Sequence, residues 1–182
     1  GIAVAASLLK RKSDLRIAVI DSAQQHFYQP GWTMVGAGIF SAESTCRATA
    51  KLIPRGVKWI QQRVSGFSSA DQMVVLSDGG QVYYGQLIIA PGLKLDWSAI
   101  EGLSESLGKN GVTSNYRYDL APYTWQLVQA LKKGKAVFTQ APLPIKCAGA
   151  PQKALYLSAD HWLSRDRLKN ISIDFYNAGN VL

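Results

Sequence analysis

Cys147 is the side chain in this sequence best suited to nucleophilic or redox chemistry. It sits in KAVFTQAPLPIKCAGAPQKALYLSADHW, residues 135–162, which reads as a strand, a proline-studded loop and a helix. Ala136 to Phe138 form the short apolar run of a buried strand. Pro151 suits a first helical turn, where its missing N–H costs nothing, and Leu155, Tyr156 and Trp162 recur behind it at helical spacing. A thiol on a strand-to-helix loop is held in place yet accessible. Lys146 and Lys153 flank it, and nearby cations favour the thiolate, the reactive form. The cysteine falls a few residues before the helix proper, so the helix dipole adds little. Against this stands the ordinary fate of a solitary cysteine, a small buried apolar residue, and the surrounding sequence must decide between the two.

A second chemistry-bearing pattern opens the chain. Ile2, Val4, Ala5, Leu8 and Leu9 share a helical face, and Lys10, Arg11 and Lys12 suit its C-terminus. Arg16 to Ile20 then reads as a strand ending on Asp21. Glycine, helix, strand and acid make the back half of a dinucleotide-binding βαβ unit, with Gly1 as the last glycine of a GxGxxG turn. The acid follows that turn by about 20 residues, where it can accept hydrogen bonds from an adenosine ribose. An ordinary βαβ unit has the same spacing.

The remaining elements must position these groups. His26 to Phe40, HFYQPGWTMVGAGIF, reads as neither a regular strand nor a regular helix. Gly36 and Gly38 would let backbone approach a flat ligand closely, or simply pack. His26 receives no role. SAESTCRATAK looks helical up to Lys51, and Cys46 within it reads as structural. Val57 to Val64 alternates like a strand. Met73–Leu76 and Gln81–Tyr84 are short strands joined by an Asp-Gly hairpin signal, and Leu87 to Gly92 is an apolar strand ending in glycine. Asp119 to Lys133 reads as a helix stopped by Gly134, and Ile171 to Tyr176 as a last strand.

The second βαβ pattern lacks what a nicotinamide site needs. Pyrophosphate is held by backbone N–H groups of a glycine turn at the helix start. Here the strand is followed by Gln140, Ala141, Pro142, Leu143, Pro144, Ile145, Lys146 and Cys147; prolines remove donors, and no GxGxxG is present. No acid closes the last strand, where Asn177 follows Tyr176. A thiol stands where a pyrophosphate site would be.

Composition sets wider bounds. The 182 residues suffice for one sizeable core, or one domain and part of another. The apolar run near the start is far short of the ~20 residues that span a bilayer. Two cysteines in no CxxC pair give neither a disulfide scaffold nor a metal site. The net charge of +8 suits a solvated basic surface, or attraction to anionic lipid or to a small anion. Its basic residues are scattered, with no nucleic-acid motif. The sequence starts on Gly1 inside a helical pattern and stops just past a strand, so it reads as an internal fragment of a longer enzyme.

PIKCAGAPQKALYLSADHW around Cys147 and YQPGWTMVGAG before it closely resemble sulfide:quinone oxidoreductases, membrane-associated flavoproteins; LIIAPG and DWSAIEGL fit the same family. The resemblance implies an α/β fold with two Rossmann-like dinucleotide-binding domains, of which this fragment lacks the first strand and the C-terminal part. Residues 1–133 would be the FAD-binding domain, including a β-meander at about 57–90, and residues 134–182 the start of the second. Absence of the first strand would leave apolar edges uncovered. The cofactor implied is FAD, with Asp21, Gln29, the backbone at Val64 and Gly92 in contact with it. Pro91 stands where a Thr is commoner, so a hydroxyl contact is lost while close backbone approach at Gly92 can remain.

The family's chemistry would make Cys147 one of two redox cysteines, with the partner beyond Leu182. Hydrosulfide attacks the bridged sulfurs, leaving a persulfide on one cysteine, and the freed thiolate delivers two electrons to the flavin. Ubiquinone or another quinone takes them on, at a bacterial or mitochondrial inner membrane. Alternatives are a flavocytochrome c-type sulfide dehydrogenase that passes electrons to haem, or a flavin-binding module without turnover. An NADH:quinone reductase is disfavoured by the missing second glycine turn.

Overall fold

The computed structural model describes residues 1–179. Its helices are α1 (Ile2–Arg11), α2 (Trp32–Gly36), α3 (Leu103–Ser106), α4 (Ala121–Ala130) and α5 (Ala150–Ser164). Its strands are β1 (Ala18–Ile20), β2 (Gln25–Phe27), β3 (Cys46–Ala48), β4 (Lys58–Ile60), β5 (Val64–Ser68), β6 (Met73–Leu76), β7 (Gln81–Tyr83), β8 (Gly134–Gln140) and β9 (Ile171–Asn177). The chain forms two compact units: Gly1–His26 with Arg47–Gly92, and Phe27–Cys46 with the chain from Leu93 onward. The boundary expected at 133/134 falls inside the second unit.

In the first unit β1 and β4 pair in parallel, Ala18 opposite Lys58 and Ile20 opposite Ile60. The helix expected at the start forms as α1, with Lys10 and Arg11 in its last turn. Ala5 is its buried residue, whereas Val4 is exposed. The antiparallel strands β5, β6 and β7 form the expected meander. Its hairpin closes at Ser77–Gly80, where the Gly80 N–H donates to Asp78 Oδ1 at 2.9 Å.

Two strand expectations fail here. Val57–Val64 is not one strand, because β4 pairs with β1 while β5 pairs with β6, and the chain turns at 61–63 between the two sheets. Leu87–Gly92 forms no strand. No described strand lies beside it to take its N–H and C=O groups, and Ile88 and Ile89 stay 58% and 62% exposed. Apolar content alone cannot make a strand without a ladder partner.

The second unit carries a βαβ crossover. β8 and β9 run parallel in unbroken register from Gly134 opposite Ile171 to Gln140 opposite Asn177, and α5 links them. Lys135 Nζ and Asp174 Oδ2 meet at 2.8 Å, a solvent-screened surface contact that adds little to stability. Below α5, Val128, Trp162 and Ile171 form a buried cluster, covered by Trp125, Leu131, Phe138 and Ile173 among others. A second cluster joins Trp32 and Val35 of α2 to Ala121 of α4. There Phe27, Trp32 and Tyr118 pack ring to ring, with centroids 4.7–6.2 Å apart.

Three local expectations are corrected in this unit. The 26–40 stretch is more regular than its composition suggests. Gln29–Gly31 makes a 3-10 turn led by Pro30, and α2 follows, because the apolar faces of Trp32 and Val35 find partners. The helix expected over 41–51 breaks into a 3-10 turn at Glu43–Thr45, β3, and a second 3-10 turn at Thr49–Lys51. Ser44 Oγ donates to the Ser41 carbonyl and Thr45 Oγ1 to that of Ala42, both at 2.7 Å, local bonds that compete with a continuing helix. Finally, α4 stops at Ala130 rather than at Gly134. Leu131 turns extended and packs in the core, and Gly134 opens β8.

Gly38 has a left-handed φ of +73°, and a Cβ added there would lie 2.2 Å from Trp125 Cε2. That indole is itself stacked edge-on against His161, with ring centroids 4.7 Å apart, so it has little room to yield. Gly38→Ala is therefore expected to destabilise the protein by roughly 2–4 kcal/mol, from the left-handed backbone cost plus overpacking. Denaturant unfolding of the complete polypeptide measures this; a loss under about 1 kcal/mol would contradict the packing described.

Candidate active site

The loop from β8 to α5 carries Cys147, and the sequence explains its shape. Pro142 and Pro144 keep the chain from continuing the β8 ladder, and Pro151 sits in the first turn of α5, where it donates nothing the helix needs. Gly149 caps that helix, and the Ala150 N–H donates to the Cys147 carbonyl at 2.9 Å. Cys147 has a φ of +62°, a left-handed conformation that costs a non-glycine residue about 1–2 kcal/mol. Its side chain is a free, exposed thiol, so the buried apolar role is excluded for it. Cys46 is half-buried.

Cys147 opens onto a cleft of about 350 Å³. Lys146 and Lys153 line it on the thiol side, as expected of flanking cations, together with Gln29, Asn115, Tyr116 and the exposed β8 residues Val137 and Thr139. Gln29 and Cys147, two residues singled out from the sequence, thus share one cavity although they are far apart in the chain. Asp21, Val64 and Gly92 lie in the other compact unit. Asp21 ends β1, half-buried. Its N–H donates to the Ile60 carbonyl at 3.1 Å, and its Oδ1 accepts from the Ala23 N–H at 2.8 Å. Val64 opens β5 opposite Leu76 and is 40% exposed. Gly92 has a φ of +81°, and the space where a Cβ would project is open.

Tyr116 and Asn115 went unnoticed in the sequence. Tyr116 Oη donates to the Lys146 carbonyl and lies 3.5 Å from the Cys147 carbonyl. Burial raises its phenol above the ordinary tyrosine range, and a charge on Cys147 would raise it further, so the donor keeps its proton at neutral pH. Asn115 Oδ1 is buried without a hydrogen-bond partner among the described residues. It rests against Gly36, where an added Cβ would come within 2.3 Å of it. The close approach expected at Gly36 is therefore made, within this unit, by an internal side chain. Nothing in local spacing links the polar run Thr113–Tyr116 to a loop 30 residues on; only the packing of α4 beside α5 does.

Similarity to known proteins can now be set beside this geometry. The chain is 39% identical over 98% of its length to "Sulfide:quinone oxidoreductase, mitochondrial" of Dictyostelium discoideum, covering 40% of that protein. It is 37% identical, again over 98% of its length, to the protein of the same name from Mus musculus, of which it also covers 40%. Among solved structures, the sulfide:quinone oxidoreductase of Aquifex aeolicus superposes on the whole chain with a TM-score of 0.79 at 21% identity, the chain covering 42% of it. No protein-family model matches. The chain thus spans about two fifths of the length of these relatives. The family resemblance and the Rossmann-like α/β fold read from the sequence are both borne out.

Proposed function

We propose that this chain, which carries the sequence of a sulfide:quinone oxidoreductase along nearly its whole length, is part of an FAD-dependent enzyme that oxidises sulfide and passes the electrons to quinone. The observation that carries this reading is the free, exposed thiol of Cys147 lining one cleft with Gln29, on the strand-to-helix loop where a related fold would hold pyrophosphate.

In the proposed reaction Cys147 is joined to a second cysteine from outside this sequence. Hydrosulfide attacks one of the two sulfurs; the S–S bond breaks, a persulfide S–S bond forms on one cysteine, and the other leaves as thiolate. After the sulfane sulfur passes to an acceptor, the cysteine pair closes again and releases two electrons and a proton. Bound FAD would supply the two-electron acceptor that links this cysteine pair to quinone. Lys146 and Lys153, which line the cleft, attract the hydrosulfide anion to it.

The residues present fit a flavin dinucleotide. Asp21 offers a carboxylate at a strand end for a ribose, and Gly92 leaves backbone open to close approach. In the cleft, Gln29 and the orphaned Asn115 Oδ1 offer polar groups to a flavin ring edge. The backbone at Val64 would meet the adenine. On this reading residues 1–133 form the FAD domain, and the cysteine belongs to the second. The whole enzyme would sit peripherally at a mitochondrial or bacterial inner membrane; no described helix of this chain is long and apolar enough to cross one.

Anaerobic titration of the complete enzyme with sulfide tests the proposal. With a nucleophilic sulfane-sulfur acceptor such as sulfite present, the flavin absorbance is expected to bleach with about one equivalent of sulfide, since each carries two electrons, and to return on adding a quinone analogue. Colour that persists through excess sulfide would point instead to a flavin module without turnover; re-oxidation by cytochrome c but not by quinone would favour the haem-linked alternative.

A further inference from the structure

Resting on the redox reading of Cys147, we propose that Tyr116 is a positioning residue, whose hydroxyl ties down the loop that presents the thiol. The β8–α5 connection is rich in proline and makes few backbone bonds of its own, chiefly Ala150 N–H to the Cys147 carbonyl at 2.9 Å. Tyr116 Oη reaches the carbonyls of Lys146 and Cys147, one in each of the two peptides that flank the Cys147 Cα. Those peptides set the direction of the Cys147 side chain, and Cys147 holds a left-handed φ that an untethered cysteine would leave.

Tyr116 is itself firmly held. Its N–H donates to Ser114 Oγ at 3.1 Å. Thr113 Oγ1 donates to the Leu120 carbonyl at 3.1 Å and meets Thr124 Oγ1 at 2.8 Å. Arg117 forks onto Asp119, and the Arg117 carbonyl accepts from the Ala121 N–H at 3.1 Å. Hydrogen bonds therefore pin the segment 113–117 to the first turn of α4 on one side and to the backbone of the cysteine loop on the other. Helix α4 and the core beneath it become the fixed reference for the sulfur. The phenol is a suited donor because burial holds it above the ordinary tyrosine range, so it keeps its proton at neutral pH.

Tyr116→Phe in the complete enzyme removes the hydroxyl and keeps the ring. Amide exchange at residues 145–149 is expected to rise by roughly tenfold while α5 keeps its protection. The kcat for sulfide oxidation should fall roughly 10- to 100-fold, the scale set by displacing a reacting group by about 1 Å, with KM for sulfide and flavin content within about twofold of wild type. Thr113→Val, which frees the same segment from α4, should shift both readouts the same way but less, and it serves if the first variant folds poorly. Unchanged exchange in the loop overturns the proposal, as does an unchanged kcat, or a kcat loss that only tracks lost flavin. Cys147→Ser run alongside separates the two levels: turnover retained in that variant ends the redox reading, while the exchange data still report on the tether.

Discussion

Cys147→Ser is expected to abolish sulfide-dependent flavin reduction in the complete enzyme, by on the order of 10³-fold or more. The size follows from the chemistry. Serine cannot form the disulfide, cannot carry sulfane sulfur, and at neutral pH presents a protonated hydroxyl where a thiolate is required. Folding should be spared. The side chain is exposed, so the exchange of sulfur for oxygen empties no core, and serine bears the same left-handed backbone cost at φ +62°. Stability should stay within about 0.5 kcal/mol and flavin content unchanged. Two measurements on one sample, stopped-flow bleaching at 450 nm or so and a melting curve, separate lost chemistry from lost fold. Turnover that survives the substitution would remove Cys147 from the mechanism. A Cys46→Ser control should leave the rate near wild type, since that thiol is half-buried and does not line the cleft.

How far this site could be read in advance depended on the range over which its determinants act. The βαβ crossover was legible because its signals are local: an apolar run for β8, Pro151 in the first turn of α5, and β-branched Ile171 and Ile173 in β9. So was the exposed thiol, since prolines on the approach to Cys147 bar a buried ladder there. The failures share one cause. Leu87–Gly92 has strand composition, but a strand exists only with a neighbour, and the neighbour is not in its own sequence window. The 41–51 stretch looked helical by propensity, yet Ser44 and Thr45 turned their hydroxyls to nearby carbonyls instead. Tyr116 was invisible for a related reason. Its partner carbonyls lie 30 and 31 residues away, and a tyrosine in a polar loop carries no mark of what it will meet.

Trp162→Ala should produce the largest loss of stability among single substitutions considered, roughly 3–5 kcal/mol. Trp162 is 2% exposed and lies where α4, α5, β8 and β9 converge, in contact with a cluster built on Val128 and Ile171. Removing the indole leaves a cavity that helices anchored at several other points cannot close. It also strands a hydrogen bond. Trp162 Nε1 donates at 2.8 Å to the carbonyl of Val128, in the last turn of α4, where carbonyls lack helical partners. Trp162→Phe keeps most of the volume and deletes that donor, so it should cost less, about 1–3 kcal/mol. Set against a typical total of about 5–15 kcal/mol, the alanine variant leaves this region close to its limit. Hydrogen exchange resolves the region better than a global melt: amides of α5 and of the β8–β9 pair should lose protection together, because one side chain joins them. Since Trp162 does not line the cleft, the phenylalanine variant at low temperature should retain near-normal kcat while unfolding earlier on warming. If α5 kept full protection in the alanine variant, the helix that carries the cysteine loop would have to be held by something other than this core.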